Sequence, residues 1–297
     1  MDSIATCEAT PNMALVKYWG KIDEKLILPV GSSVSVTYDE VLKTRTSVMF
    51  SDKFTKDEAW LQNNKLEGKD LDEVVKQIDL VRAKAGVKTK ARMVSLNGFP
   101  TAAGLASSAS GLAALTVASS KALGLNLSTK ELSIISRQGS GSSCRSVMGG
   151  WVVWHKGVKP DGSDSFAEQI ADHNHWPEFR SLVAVVDHGK KKTSSRAGMK
   201  QTIATSILYP ARVAAWEKTA NDCVKAVKEK NLSEMLQIVM RDSLNLHAVM
   251  LDTVPPIMYL NEVSKQIIYQ TLEFNQSIGA IDAGYTFDAG PNANIFK

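Results

Sequence analysis

The run Phe99-Pro-Thr-Ala-Ala-Gly104-Leu-Ala-Ser107-Ser108-Ala-Ser110-Gly111 constrains the fold of this chain more than any other stretch. Met93 to Leu96 ahead of it reads as a short strand, and Gly98 and Pro100 interrupt that strand. A helical pattern follows to Leu123, where Gly124 closes it. A strand, a small-residue loop and a helix therefore succeed one another directly. Ala102, Ala103, Gly104 and Ala106 carry so little side chain that a ligand can approach the backbone closely. The unpaired N–H groups of the helix start, with the positive end of its dipole, suit a phosphate. Ser107 and Ser108 add hydroxyls able to bind phosphate or Mg²⁺. A second reading stays open at this point, a small-residue helix packed tightly on a sheet. No GxxxxGK[ST] and no GxGxxG occurs, so neither a Walker A loop nor dinucleotide binding has support.

Composition bounds what such a unit belongs to. The chain has 297 residues, 44% hydrophobic and 22% charged, the proportions of a soluble globular protein of one large domain or two modest ones. Disordered, collagen-like and disulfide-stapled chains are excluded. The longest apolar run, Leu182 to Val186, is far too short to span a bilayer, so no membrane partner is expected. The net charge of +4 is mild for a protein that grips nucleic acid, but it leaves room for a local anion pocket. Cys7, Cys144 and Cys223 are widely spaced, with no CxxC pair, which fits a reducing compartment and no structural zinc. The histidines form no HExxH, and His173 and His175 lie in a loop-like stretch. MDSIATCEAT has neither a basic n-region nor an apolar h-region, so a cytoplasmic location is expected and the sequons at Asn126, Asn231 and Asn275 read as chance matches.

Short strand-like runs alternate with helices in the first half. Val34–Tyr38 and Thr46–Phe50 are rich in β-branched and aromatic residues. Apolar spacing predicts a helix over Asp72–Ala85 with Gly86 as its C′ residue. Ser128-Thr-Lys-Glu131 is a capping box for a helix from Thr129 to about Gln138. Trp151–Trp154 and Arg180–Val186 read as strands. Helices dominate after that, with Pro210 breaking Met199–Lys228 in two and Leu232–Leu246 forming another. Pro255-Pro256 opens a segment that ends near Asn275, and a last strand over Gly284–Phe287 runs into Asp288-Ala-Gly-Pro-Asn292. The expected architecture is α+β in two lobes, residues 1–186 and 187–297.

Four further runs carry chemistry-bearing residues. Gly139-Ser140-Gly141-Ser142-Ser143-Cys144-Arg145 sets serine hydroxyls beside an arginine, whose planar fork suits a carboxylate; a flexible turn is the plainer reading. It lacks the GxSxG elbow of a serine hydrolase. Lys190-Lys-Lys-Thr-Ser194-Ser195-Arg196 is either a solvated loop or a second anion site ahead of a helix. Lys17 and Lys21 flank Tyr18 and Trp19, as phosphate ligands or as ordinary strand-end lysines. Asp288, before a Gly-Pro turn, is an Asx-turn residue or a general base.

Together these runs resemble the diphosphomevalonate decarboxylases of the GHMP kinase superfamily. The likeness lies in Ala14-Leu-Val-Lys17-Tyr-Trp-Gly-Lys21, Leu28-Pro29 with Ser32-Ser33-Val-Ser-Val-Thr37, and the 99–108 loop. It continues in Gly139-Ser-Gly-Ser142 with Cys144-Arg145-Ser146, Ser194-Ser195 with Gly198-Met199, Asp252 with Pro255-Pro256-Ile257, and Tyr285-Thr-Phe-Asp288-Ala-Gly-Pro-Asn292. These stand in the family's order along nearly the whole chain. The resemblance implies an N-terminal lobe like ribosomal protein S5 domain 2, a ferredoxin-like C-terminal lobe, and a substrate cleft between them. It implies conversion of ATP and 5-diphosphomevalonate to ADP, phosphate, CO₂ and isopentenyl diphosphate, in a cytoplasmic homodimer using Mg²⁺. By the same resemblance Asp288, Lys17, Arg145 and Ser108 are catalytic. Tyr18, Lys21, Ser140, Ser142, Arg145, Ser195 and Met199 bind substrate. Pro100, Ala103, Gly104, Leu105, Ala106, Ser107 and Ser108 bind ATP, with Ser108 also on the metal. Three departures stand out. Gly31 replaces an expected asparagine, Arg196 an expected threonine, and the chain ends at Lys297 soon after the Asp288 motif, so the second lobe is expected to be incomplete. A sibling 3-kinase, a monophosphate decarboxylase and a non-catalytic binding protein are the competing readings; the presence of Lys17, Ser108, Arg145 and Asp288 disfavours the first and last.

Overall fold

The computed structural model describes residues 2–99, 107–187, 189 and 193–297. Pro100, Ala103, Gly104, Leu105, Ala106 and Lys190 to Lys192 lie outside the described residues, as does the side chain of Ser107. The chain opens with β1 (Asp2–Ala9), β2 (Asn12–Val16), a ribbon of β3 (Lys21–Asp23) and β4 (Leu28–Pro29), then β5 (Ser33–Thr37), β6 (Thr44–Ser51), β7 (Glu58–Leu61) and β8 (Asn64–Lys65). It continues through α1 (Gly68–Ala85), β9 (Ala91–Asn97), α2 (Ser107–Ala122), α3 (Thr129–Arg137), a 3₁₀ segment Gly141–Val147, β10 (Trp151–Trp154), β11 (Ala167–Ala171) and β12 (Ser181–Ala184). The helices α4 (Ser195–Thr205), α5 (Tyr209–Lys228), α6 (Leu232–Leu251) and α7 (Glu262–Ile278) precede the hairpin of β13 (Gly284–Phe287) and β14 (Ala293–Phe296).

The first sheet has the order β1-β6-β9-β7-β8 and is antiparallel except where β7 runs parallel to β9. Its strands alternate buried and exposed residues, as a sheet covered on one face must. Val48, Phe50 and Met93 from the sheet pack with Ile78 of α1 and Leu115 and Ala118 of α2. Ala109, Ala113, Ala114 and Ala118 are fully buried, so α2 is indeed a small-residue helix held close to its neighbours. The hydroxyls of Thr44 and Ser110 lie 2.7 Å apart and pin its first turns to β6. The Ser128–Glu131 capping box forms at the start of α3, and Gly86 ends α1 with φ 67°.

The second sheet, β11-β10-β5-β2, is buried on both faces along β2 and β10. Trp151 and Val153 point into the main core, while Val152 and Trp154 join Cys144 on the other side. The third sheet, β12-β14-β13, is antiparallel. β12 precedes residue 187 in sequence, yet its partner strand β14 comes from the far end of the chain. One hydrophobic core spans the second and third sheets: Met13, Leu15, Val34 and Trp151 share it with Trp216, Leu236, Val239, Phe287 and Phe296. α5 and α6 supply its centre.

The expected break in the Met199–Lys228 helix falls between α4 and α5, with Pro210 in the first turn of α5, where its missing N–H costs nothing. Asp252 accepts from Ser206 Oγ at 2.7 Å and Leu208 N at 3.0 Å and so holds the corner. The helix expected over Leu232–Leu246 runs on to Leu251, since nothing in the sequence between them breaks it. Gly31, the departure from asparagine, sits against Trp216: a Cβ there would come 2.5 Å from the indole Cγ. Gly31→Ala is expected to force the Trp216 ring off its seat and cost about 1–3 kcal/mol of stability, the usual range for overpacking a core. Urea unfolding followed by tryptophan fluorescence measures that loss.

Candidate active site

Pairing of β2 with β5 ends at Val16, and the next residue, Lys17, turns its side chain toward the third sheet. Its ammonium donates to Asp288 Oδ1 at 2.7 Å, across 271 residues of sequence, with Met13 Sδ 3.7 Å away. The lysine is 2% exposed and the aspartate 36%, so the pair is sealed on the lysine side and open on the carboxylate side. Asp288 follows β13 directly. Phe287 N donates to Ser243 Oγ on α6 at 2.9 Å, which fixes the end of that strand. Beyond it, Asn292 Oδ1 accepts from Val186 N at 2.8 Å and Asp187 N at 2.9 Å, and Ser264 Oγ donates to Pro291 O at 2.8 Å. The turn that carries Asp288 is therefore anchored by three neighbouring segments, and its carboxylate is directed to the lysine.

Arg145 lies in the buried 3₁₀ segment, 2% exposed. Its Nε donates to Asn12 Oδ1 at 3.1 Å and its Nη1 to Ser33 Oγ at 2.7 Å. Asn12 in turn donates to Ser142 O at 3.1 Å and Ser146 Oγ at 2.8 Å, which ties β2 to the serine loop. Among the described residues no carboxylate forms an ion pair with Arg145; neutral oxygens hold it. Burial pushes its pKa below the ordinary value, against the weaker upward pull of Cys144 and then of the Asp288 charge. An arginine stays protonated under such a shift. Burial without a counter-charge costs free energy that an incoming anion recovers.

Tyr18 packs its ring 4.8 Å from that of Trp154, and its buried hydroxyl has no hydrogen-bond partner among the described residues. Trp19 Nε1 donates to Thr202 of α4 at 3.1 Å, and Tyr209 Oη donates to Trp19 O at 2.9 Å. Gly20, with φ 141°, leaves no room for a side chain, since a Cβ would lie 2.0 Å from Tyr209 Oη. These contacts hold α4 against the Lys17–Lys21 loop. Ser194 caps α4 and Ser195 is its first residue, half-buried. Arg196 pairs with Glu73 at 2.6 Å and donates to Gly139 O at 3.4 Å, which brings the start of α4 to the loop where Ser140 and Ser142 have their hydroxyls 3.4 Å apart.

Lys17 thus holds Asp288, and its neighbour Tyr18 is joined through Trp154 to Arg145, which Asn12 links to the serine loop. Other expected residues are carried by β3, α4 and α2. Lys21 pairs with Glu24 at 2.6 Å. Met199 is buried in the main core beside Trp19. Ser108 is exposed on the first turn of α2, next to the segment outside the described residues. Sequence reading passed over Asn12, Ser33, Ser243 and His247. Asn12 is a polar residue in an otherwise apolar strand, Asn-Met-Ala-Leu-Val, and such a residue is buried only with partners. Ser243 and His247 share the buried face of α6 with Leu246 and Val239.

His247 is 3% exposed and sits edge-on to Phe287, with ring centroids 6.1 Å apart. Burial, then the nearby Lys17 charge, lower its pKa from 6.5 to about 4, against the opposing pull of Asp288. It is neutral in the folded protein at neutral pH. An unfolded imidazole takes its proton near pH 6.5, the folded one only near pH 4. Its contribution to stability is therefore intact above about pH 6.5 and is lost as the pH falls toward 4, with a limit of about 3 kcal/mol. His247→Gln is expected to flatten that part of the pH–stability curve. Unfolding titrations of both proteins between pH 4 and 7 give the difference.

Comparison with known proteins places this chain in a family. Residues 9–167 match the model of the diphosphomevalonate decarboxylase-like N-terminal domain. Residues 181–297 match that of the mevalonate 5-diphosphate decarboxylase C-terminal domain. A curated diphosphomevalonate decarboxylase of Ganoderma lucidum is 44% identical over 98% of this chain and 78% of its own length. The crystal structure of mevalonate diphosphate decarboxylase from Staphylococcus aureus superposes with a TM-score of 0.93 at 36% identity, covering 100% of this chain and 88% of that one. A structure described as MDDEF in complex with MVAPP, AMPPCP and magnesium matches with a TM-score of 0.91 at 39% identity, covering 100% of this chain and 89% of that one. With the two-lobed α+β fold of the GHMP kinases and both family domains in order, the chain belongs to the diphosphomevalonate decarboxylase family.

Proposed function

We propose that this chain catalyses the ATP-dependent decarboxylation of (R)-5-diphosphomevalonate, a carboxy-lyase reaction of the mevalonate route to isoprenoids and sterols. The products are isopentenyl diphosphate, ADP, phosphate and CO₂. The observation that carries the reading is the Lys17–Asp288 pair, 2.7 Å long, buried on its lysine side and open on its carboxylate side, with Arg145 reached from Lys17 through Tyr18 and Trp154. A tertiary 3-hydroxyl is a weak nucleophile. Asp288 accepts its proton as the oxygen attacks the γ-phosphorus of ATP and ADP leaves. The C3–O bond then breaks and phosphate departs with the bonding pair. Lys17 neutralises the charge that gathers on the phosphoryl oxygens. The pair of the C1–C2 bond moves to form the new double bond at C3 as CO₂ leaves. Arg145 holds the substrate carboxylate in line for that step, its guanidinium already desolvated and held, among the described residues, by neutral oxygens.

Tyr18, Lys21, Ser140, Ser142 and Ser195 take the diphosphate and flanking oxygens in this reading, and Met199 supports them from the core. The Tyr18 hydroxyl, buried and without a hydrogen-bond partner among the described residues, is the kind of group a ligand oxygen satisfies. ATP lies along the loop of Pro100 and Ala103 to Ala106 and the start of α2, with Ser107 and Ser108. Ser108 presents an exposed hydroxyl at a helix start, a position that fits a magnesium ion held mostly by phosphate oxygens. Bound there, Mg²⁺ supplies charge neutralisation on the nucleotide phosphates. The relative crystallised with MVAPP, AMPPCP and magnesium supports both ligands. The same reading gives two lobes divided near residue 186, working as a cytoplasmic homodimer. The partnership of β12 with β14 draws the division back toward the start of β12.

Asp288→Asn is expected to lower turnover on the order of a hundredfold or more while both substrates still bind, since it removes the base and the lysine's counter-charge together. Coupled ADP assay with ¹⁴C-CO₂ trapping measures it. Arg145→Met is expected to separate the two products: ADP forms in a single turnover, while CO₂ release lags about a hundredfold behind. Equal loss of ADP and CO₂ in that variant would instead make Arg145 a binding residue for the ground state.

A further inference from the structure

Lys17 is gripped by its main chain as well as by its side chain. Its N–H donates to Asp242 Oδ2 of α6 at 2.7 Å, and its carbonyl accepts from Arg212 Nη2 of α5 at 3.3 Å. Those two side chains are themselves an ion pair, Nη1 to Oδ1 3.1 Å, with side chains 3% and 5% exposed. Arg212 Nη1 also donates to Asn245 Oδ1 at 2.5 Å, and its guanidinium lies 4.6 Å from the centre of the Trp216 ring. Lys17 has left the β2–β5 ladder, which ends at Val16, so its peptide groups need partners from elsewhere. Neutral groups would meet that need. A fully buried ion pair is a costly way to do so, and for stability alone apolar residues of similar volume often serve as well or better. What charge adds here is rigidity: the planar fork of the arginine and the carboxylate fix each other, and together they hold the two peptide groups on either side of the Lys17 Cα.

We propose that the Arg212–Asp242 pair is a positioning device for the reaction, setting the Lys17 peptide from behind so that the ammonium meets Asp288 and the reacting phosphoryl group in register. The proposal rests on the role assigned to Lys17 above. A lysine stem has four rotatable carbons, so its ammonium is only as well placed as the backbone it starts from and the partner it ends on. An error of about 1 Å at a reacting group costs on the order of a hundredfold in rate. Arg212 and Asp242 touch neither substrate in this scheme, so their loss is to be felt in kcat and not in KM.

The test is steady-state kinetics on the full chain with ATP, Mg²⁺ and diphosphomevalonate, for Asp242→Leu, Asp242→Asn, Arg212→Lys and Lys17→Met, each checked for folding by circular dichroism and thermal unfolding. Asp242→Leu is expected to lose about a hundredfold in kcat with both KM values within about threefold of the parent. Asp242→Asn keeps an oxygen for Lys17 N–H and is expected to recover part of that loss, to about tenfold below the parent. That partial rescue is a result that general loosening of the fold would not give. Should Asp242→Leu fail to fold, Asp242→Asn and Arg212→Lys decide between them. Parental kcat in both folded conservative variants overturns the proposal, and so does a rise in KM that matches or exceeds the fall in kcat. Lys17→Met separates the two layers: an active Lys17→Met overturns the catalytic reading of the lysine, whereas an inactive one beside fully active Asp242 variants overturns only the positioning role.

Discussion

The contact between Lys17 and Asp288 sets the terms for the rest of the molecule. It joins the end of β2 to the end of β13 with an ammonium that is almost wholly removed from water. A buried charge is tolerable only when paired and hydrogen-bonded, so the two segments must arrive within tenths of an ångström of each other. Everything around them serves that arrival. Asn292 and Ser264 hold the Asp288 turn, Ser243 holds the strand before it, and α6 reaches both sides of the pair through Asp242 and Ser243 on consecutive positions. Because the partners come from opposite ends of the chain, neither half can present the site by itself.

The remaining electrostatics are arranged in the opposite sense, as a deficit. Arg145 is desolvated beside neutral oxygens, and the buried Tyr18 hydroxyl has no hydrogen-bond partner among the described residues. His247, close to both charges, is kept neutral by burial and by Lys17, so it adds no positive charge that would weaken the pull of Asp288 on its lysine. A surplus of donors in a water-poor site is unfavourable without ligand and favourable with an anionic one, which is how a fixed environment comes to bind a charge that develops during reaction. The phosphate-rich substrates proposed here supply that charge.

How much of this was legible in the sequence follows from the range of the interaction concerned. Local rules read well: the Ser128–Glu131 box, Gly86 as a helix end, the Trp151–Trp154 strand and the break ahead of Pro210 all depend on residues a few positions apart. The candidate residues came from motifs; the structure pairs Lys17 with Asp288 and links Tyr18 through Trp154 to Arg145. β14 was missed because its four residues follow a turn motif and show no period of their own; its strand character comes from pairing with β12 and β13. Met199 entered through a motif as well, and the spacing of Gly198, Met199 and Thr202 puts all three on the buried side of α4. The α6 residues escaped for another reason: Asp242, Ser243 and His247 look like breaks in an amphipathic stripe until β2 and β13 are placed against it.

The position of α5 and α6 explains why polar residues sit on that stripe at all. The two helices fill the space between the second and third sheets, so the same helix faces meet the ends of strands from both lobes. Strand ends leave peptide groups that the ladder no longer satisfies, and in a dry core those groups must be met by side chains. A purely apolar α6 would pack the sheets but strand the N–H groups of Lys17 and Phe287. The polar positions in the stripe are thus required by the same geometry that brings Lys17 and Asp288 together, and the cost of burying them is the cost of joining two charged residues at the ends of strands from different lobes. In this fold that contact is a consequence of how the core between the lobes is closed, which is why the inner faces of α5 and α6 hold the strand ends on both sides of it.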